Sequence, residues 1–332
     1  MLEVATTDYH TAGEPFRIVV EGTPALPGAT VRERREAASR SEEAETVRRL
    51  LCNEPRGHAD MYGCFLVPPD DDGADFGVLF WHKDGYSTAC GHGTIALGAW
   101  AVESGRIEPE DIGVTKVTID VPSGRVVAAV RMHEGRVAAV SFRNVPAYVL
   151  ARDVPAGGAR VDVSYGGAIY ASVAAADLGL AVRPEHYGEL IAAGRAVKAD
   201  LEGTDAARHP SDERLSGIYG TIIYEDLGDD EHGPHQRNVT VFADGEVDRS
   251  PCGSGTSARM ALLDAEGRLG GKRMLTHESI VGTRFVAHVA ERVQVEGRDA
   301  VVTWVVGHAF RTGEHRFVLD PRDSVGTGFV LR

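Results

Sequence analysis

Two cysteines in matched settings are the residues of this sequence best placed to do chemistry. Ala89-Cys90-Gly91-His92-Gly93-Thr94 and Pro251-Cys252-Gly253-Ser254-Gly255-Thr256 share the form Cys-Gly-x-Gly-Thr and lie 162 residues apart. Each follows an alternating apolar run that ends in a polar turn, and each leads into an apolar run of helical character. A cysteine at a helix start sits among unpaired backbone N–H groups at the positive end of the helix dipole, which favours thiolate over thiol and also binds anions. The glycines let the backbone approach such an anion closely. Two such units facing one pocket would supply two acid/base sulfurs and a nest for one carboxylate. That set suits proton transfer at the Cα of an amino acid, one cysteine removing the proton from one face and the other delivering it to the opposite face. A thiol that starts near ~8.5 can be tuned toward the operating pH.

This scheme calls for no cofactor. Nor is a metal expected: His92 stands beside Cys90, but sequence neighbours seldom share a metal, and the usual zinc spacings are missing. None of the four cysteines forms a CxxC, and Cys52 and Cys64 read as small core residues. Gly91 to Ala96 and Gly253 to Ala258 also fit a GxGxxA pattern, yet the surrounding strands do not alternate with helices as a dinucleotide-binding unit demands. On its own, Asp248 reads as a turn or N-cap carboxylate.

The elements that must position these residues recur in similar order. Val4 to Tyr9 and Phe16 to Val20 read as strands around a turn, Glu33 to Leu51 as one helix, Glu54 to Gly63 as a structured loop and Cys64 to Val67 as a strand. After the first cysteine unit come strands at Val117 to Val121, Arg125 to Arg131 and Arg136 to Phe142. The Pro/Gly-rich Val154-Pro155-Ala156-Gly157-Gly158 marks the expected domain switch. Beyond it, Val161 to Ala171 repeats the strand, glycine turn, strand rhythm of the opening. A helix follows at Glu185 to Lys198, then a strand at Gly217 to Tyr224, an exposed acidic loop at Asp226 to His235, the second cysteine unit, and strands within Phe285 to Val305. A period near half the 332 residues means a duplicated domain, since solenoid repeats are far shorter.

The net charge of −14 argues against a nucleic-acid surface, which would need concentrated Lys and Arg, and the sequence carries no such stripe. No apolar run reaches eighteen residues, and Met1 to His10 lacks the form of a signal peptide. A cytoplasmic protein is therefore expected, with no nucleic-acid or membrane partner.

Asp248-Arg249-Ser250-Pro251-Cys252-Gly253-Ser254-Gly255-Thr256 and Cys90-Gly91-His92-Gly93 resemble the two signature motifs of the proline racemase family. Asp8 to Val19 and Arg56 to Met61 are similar to further family stretches, and the likeness runs over nearly the whole chain. It implies an α/β (α+β) diaminopimelate-epimerase-like fold of two pseudo-symmetric domains, each a curled sheet around a central helix. The halves would be residues 1–150, with a returning strand at about 310–332, and 151–309. The resemblance makes Cys90 and Cys252 the catalytic acid/base pair. Gly91, His92, Gly253 and Ser254 would hold the substrate, mainly its carboxylate, while Asp248 and His92 face the ring nitrogen of an imino acid. A homodimer is among the assemblies allowed for.

Within the family two branches compete. Gly85-Tyr86-Ser87-Thr88 and Ile218-Tyr219-Gly220-Thr221-Ile222 resemble trans-3-hydroxy-L-proline dehydratases, and the histidine that hydroxyproline epimerases carry near Thr221 is missing. That branch, however, has Thr where this chain has Cys252. Inversion needs a proton-bearing group on each face, so the cysteine pair favours a cofactor-independent racemase or epimerase of proline or a hydroxyproline. A dehydratase and a non-catalytic amino-acid binder remain the alternatives. Whether the ring carries a hydroxyl, and at which carbon, is left open.

Overall fold

The computed structural model describes residues 2–110 and 113–331. The chain forms two compact units: one of Met1–Thr11, Pro15–Val140 and His308–Arg332, the other of Ala12–Glu14 and Ser141–Gly307.

In the first unit the central element is the helix Gly91–Glu103, buried along its length except at Glu103. A helix apolar on every side must be enclosed, and it packs against Leu2–Thr11, Val114–Val121, Gly124–His133 and Ala309–Leu319. Close approach is secured at Gly98, where a Cβ would lie 2.6 Å from that of Ala128. The strand Leu2–Thr11 runs antiparallel to Ala309–Leu319, so the end of the chain completes the sheet that its start begins. The helix expected over Glu33 to Leu51 is two helices, Val31–Ala38 and Glu42–Cys52. Ser41 causes the break, its hydroxyl accepting the Ala44 N–H while Glu42, Glu43 and Glu45 fill the new first turn. These helices cover a core of Val19, Leu50, Leu51, Cys52, Phe65 and Trp81.

The second unit encloses the helix Gly253–Ala265 in a ring of strands. Ala147–Ala156, Ala159–Tyr165, Ile169–Ala174, Ile218–Asp229, Pro234–Phe242, Met274–Ser279, Arg284–Val295 and Arg298–Gly307 pair successively. The last returns to the first through Ala300–Tyr148 and Val301–Ala147, which closes the ring and removes its free edges. Gly166 permits the tight turn beside the helix: a Cβ there would meet the Ser254 carbonyl oxygen at 2.4 Å.

Two sequence expectations need correction here. The Val154-to-Gly158 stretch is no domain switch; Gly157 and Gly158, both at positive φ, make the two-residue turn of a hairpin inside the second unit. The units part instead at Val140/Ser141, within the strand Arg136–Arg143, ahead of the boundary expected at 150. The acidic stretch Asp226 to His235 is largely exposed, as expected, but mostly strand: it is the end of a hairpin in which Asp226 pairs with Gln236 and Asp229 with Pro234, and Arg268 and Arg273 form ion pairs with Asp226 and Asp229.

Candidate functional site

Each central helix begins at one of the two cysteines. Cys90 is the N-cap of its helix in extended conformation (φ −154°), and its Sγ accepts the Gly93 N–H at 3.2 Å. The Thr94 hydroxyl bonds back to the Cys90 carbonyl at 2.8 Å, which fixes the cap. Gly93 lies directly under the sulfur: a Cβ there would sit 2.8 Å from Sγ and 2.4 Å from Phe16. The glycine is required by the close approach of the sulfur.

His92 is buried between Phe16 and Tyr62, with ring centroids 5.7 and 5.0 Å away and both pairs edge-on. Burial pushes its imidazole down to about 3, so the ring is neutral at ordinary pH. Its Nδ1 and Nε2 lie 3.4 and 3.6 Å from the Cys90 sulfur. Near-equal distances keep the sulfur off the axis of either ring N–H, unlike a hydrogen-bonded Cys–His nucleophile pair. The Thr11 hydroxyl holds the His92 carbonyl at 2.9 Å, and the Tyr62 hydroxyl meets that of Ser87.

At the second cysteine the same motif has different geometry. Cys252 has φ +65° and ψ 106°, a conformation costing a non-glycine residue on the order of 1–3 kcal/mol. It is held from both ends: the Cys252 N–H donates to Ser250 Oγ at 3.0 Å, and the Cys252 carbonyl accepts from Thr256 N–H at 2.7 Å. The Thr256 hydroxyl contacts the Pro251 carbonyl at 3.3 Å and His277 Nδ1 at 2.8 Å. Gly255 takes the place of Gly93, with a Cβ excluded by the Cys252 sulfur at 2.9 Å.

The expected bias of both helix starts toward thiolate meets a stronger effect at Cys252. Burial pushes its thiol well up, the nearby Asp248 carboxylate adds to this, and the Gly255 N–H offsets only part because it makes no full capping bond to the sulfur. The carboxyl of Asp248 is itself pushed up to about 6, chiefly by burial, while hydrogen bonds from Ser250 and the Cys252 thiol act in the opposite direction. The Ser250 N–H donates to Asp248 Oδ1 at 2.8 Å, so Asp248 does sit in the tight turn its sequence suggested. It is also a buried partner of the sulfur. This cysteine therefore holds its proton, whereas the Cys90 sulfur receives a backbone donor.

Two residues of this neighbourhood were not anticipated. Tyr170 of Ile169–Ala174 reaches Ser254 Oγ at 2.7 Å, and Glu14 accepts the Arg249 N–H at 2.7 Å from the short segment Ala12–Glu14 of the same unit. Glu14 lay within a stretch already marked by its family likeness, but nothing local in the sequence marks Tyr170. Gly91 and His92 thus gather at Cys90, and Asp248, Gly253 and Ser254 at Cys252. The other two cysteines are core residues: Cys52 and Cys64 are completely buried, and burial pushes the Cys64 thiol far up.

The family model described as proline racemase matches residues 6–330. A protein of Bacillus cereus named trans-3-hydroxy-L-proline dehydratase is 43% identical over 330 residues, covering 98% of this chain and 97% of its own. A 3-hydroxyproline 2-epimerase of Burkholderia multivorans is also 43% identical, over 334 residues and 99% and 98% of the two chains. Among solved structures, a hydroxyproline epimerase from Agrobacterium vitis with bound trans-4-hydroxy-L-proline superposes with a TM-score of 0.90. It is 30% identical, and the match covers 99% of this chain and 96% of that one.

Proposed function

This chain belongs to the proline racemase family, and from that premise we propose that it inverts the Cα of a proline-ring imino acid by two-cysteine proton transfer. Cys90 and Cys252 serve opposite faces of the substrate, one as thiolate base and one as thiol acid. The observation that carries this reading is the unequal surroundings of the two sulfurs. Cys90 receives the Gly93 N–H, while Cys252 is buried beside Asp248 and keeps its proton. One base and one acid are what a single inversion needs. As the Cα–H bond breaks, its proton passes to the Cys90 sulfur, and Cys252 gives its own proton to the carbanion from the other side. The opposite inversion starts from the reverse protonation of the pair.

Gly91, His92, Gly253 and Ser254 hold the substrate, with the N–H groups of the two helix starts taking the carboxylate. Asp248 and neutral His92 serve the ring nitrogen. The sulfurs and the backbone donors supply acid, base and charge stabilisation, so the scheme runs without a cofactor. Four free cysteines fit a reducing compartment, and we place the enzyme in the cytoplasm. Among the described residues no helix is long and apolar enough to cross a membrane.

Elimination is the second reading, favoured by the relatives named as dehydratases. Removal of the Cα proton by Cys90, which then passes that proton to the 3-hydroxyl departing from the same face of the ring, would give water and an enamine that tautomerises to the cyclic imine. NMR in D2O separates the two readings. The wild type is incubated with L-proline, trans-4-hydroxy-L-proline and trans-3-hydroxy-L-proline. Deuteration at Cα with appearance of the opposite Cα configuration is expected, the 3-hydroxy ring being the first to try. Conversion of the 3-hydroxy substrate alone, and only to the imine, would establish elimination instead. No exchange with any of the three would indicate a binder.

A further inference from the structure

Tyr170 is completely buried, and its hydroxyl lies between two groups of the Cys252 helix start: Ser254 Oγ at 2.7 Å and the Cys252 sulfur at 3.8 Å. The ring is fixed by packing with Ala168, Ile222 and Ala258 and by an edge-on contact with Tyr219 at 5.7 Å between centroids. Burial makes this phenol far harder to ionise than an ordinary tyrosine, so it stays a neutral O–H. A neutral hydroxyl carries one proton and spare lone pairs, and a serine hydroxyl is equally reversible.

The three groups therefore have two self-consistent arrangements. With Cys252 as thiol, its single S–H is shared between the Asp248 carboxyl and the Tyr170 oxygen, and the Tyr170 O–H donates to Ser254 Oγ. With Cys252 as thiolate, the Ser254 O–H donates to the Tyr170 oxygen and the Tyr170 O–H turns to the sulfur. Apart from the Cys252 proton, which the proposed reaction exchanges with the substrate Cα, only hydroxyl rotations separate the two, and Tyr170 and Ser254 each keep their own proton. Cys90 has the Gly93 N–H as a fixed donor. Cys252 makes no full capping bond with its own helix start, and the tyrosine hydroxyl supplies a donor that can reverse with the state of the sulfur.

We propose that Tyr170 is a positioning residue for Cys252, a reversible donor that steadies whichever protonation state the cysteine holds between half-reactions. This rests on the reading that Cys252 exchanges a proton with Cα. Tyr170→Phe keeps the ring and removes the donor. In this variant the alkylation rate of Cys252 by iodoacetamide at pH 8, followed site by site with mass spectrometry, should fall on the order of tenfold, as expected for one unit of thiol pKa. The basic limb of the kcat/KM pH profile should move up by a similar step. Tyr219→Phe, which alters the neighbouring ring, should leave the alkylation rate unchanged. Fluorotyrosine incorporated at position 170 keeps the packing and makes the hydroxyl a stronger donor, so it should shift the alkylation rate upward and serves also if Tyr170→Phe folds poorly. Unmoved alkylation rates in both position-170 variants would overturn the proposal. The parent reading is tested separately: if Cys252→Ser still inverts Cα, the reaction assignment fails whatever alkylation shows.

Discussion

At Cys252 a buried thiol and a buried carboxylate stand together, and their competition sets what each can do. Since the thiol holds its proton through burial and through Asp248, replacing it by a weaker acid removes the group proposed to reprotonate Cα. Cys252→Ser should lower the rate of inversion by about 10²–10⁴-fold, the usual worth of a general acid or base. Cα deuterium exchange of an L-substrate by Cys90 should persist more strongly than inversion, a difference that NMR in D2O reads directly. Equal loss of both would contradict the division of roles. Asp248 gives a prediction in pH. Its folded carboxyl is pushed up to about 6, above the ~3.9 of an unfolded chain. The stability it contributes is therefore full below about pH 4 and is lost as pH rises through about 6. His92 and His277 act the opposite way: both are depressed to about 3, and their contributions are lost as pH falls below ~6.5. Comparing Asp248→Asn with the wild type isolates the carboxyl. The variant should gain on the order of 1–3 kcal/mol relative to wild type between pH 4 and 7 while losing activity. Parallel melting curves over that range would show that Asp248 is not held in its neutral form.

At the scale of the helix starts, the second glycine of each motif is fixed by the sulfur above it. Gly93→Ala and Gly255→Ala would place a Cβ 2.8 and 2.9 Å from Sγ. Overpacking of about 1–3 kcal/mol outweighs the ~0.5–1 kcal/mol that alanine brings to a helix. Both variants should melt lower and lose most activity. Gly188→Ala, at the start of Tyr187–Leu201 with nothing within 4 Å, should be neutral or slightly stabilising. Much of this level was legible in the sequence, because Cys-Gly-x-Gly-Thr before a largely apolar run of helical character points to a buried helix that starts at its cysteine. The threonine's part, back-bonding to a carbonyl at the cap, was not read. The break at Ser41 was missed because the charged stripe continues across it and only a capping serine before three glutamates marks it. Asp226 to Asp229 are exposed as expected, but the arginines that pair with them lie some 40 residues later, beyond a local reading. A separation twice as long hid Tyr170, whose partner Ser254 is 84 positions away, and the positive φ of Cys252 has no local signal.

At the scale of the whole chain, the termini decide which unit a residue stabilises. Residues 309–319 belong with the start of the chain, paired from Leu2 with Leu319 to Thr11 with Ala309. Phe317 from this strand covers the Arg17 guanidinium at 4.4 Å, and Arg17 in turn forms a buried ion pair with Asp8 at 2.8 Å and holds the Leu51 carbonyl. A chain ending at Gly307 would expose the edge of Leu2–Thr11 and uncover that pair. An opened edge and a half-exposed buried ion pair are each destabilising, against a total stability of only about 5–15 kcal/mol for a typical domain. The second unit closes its ring with Ala147–Ala156 and Arg298–Gly307, all of which such a chain retains. Limited proteolysis of the truncated chain should therefore cut first within residues 15–140 and leave a resistant fragment spanning roughly residues 141–307. Inversion of Cα should be lost with it, since Cys90 lies in the weakened unit. Even digestion of both segments would mean that the ring of the second unit does not stand without the first. Full resistance of both would mean that the returning strand contributes little to the unit whose sheet it completes.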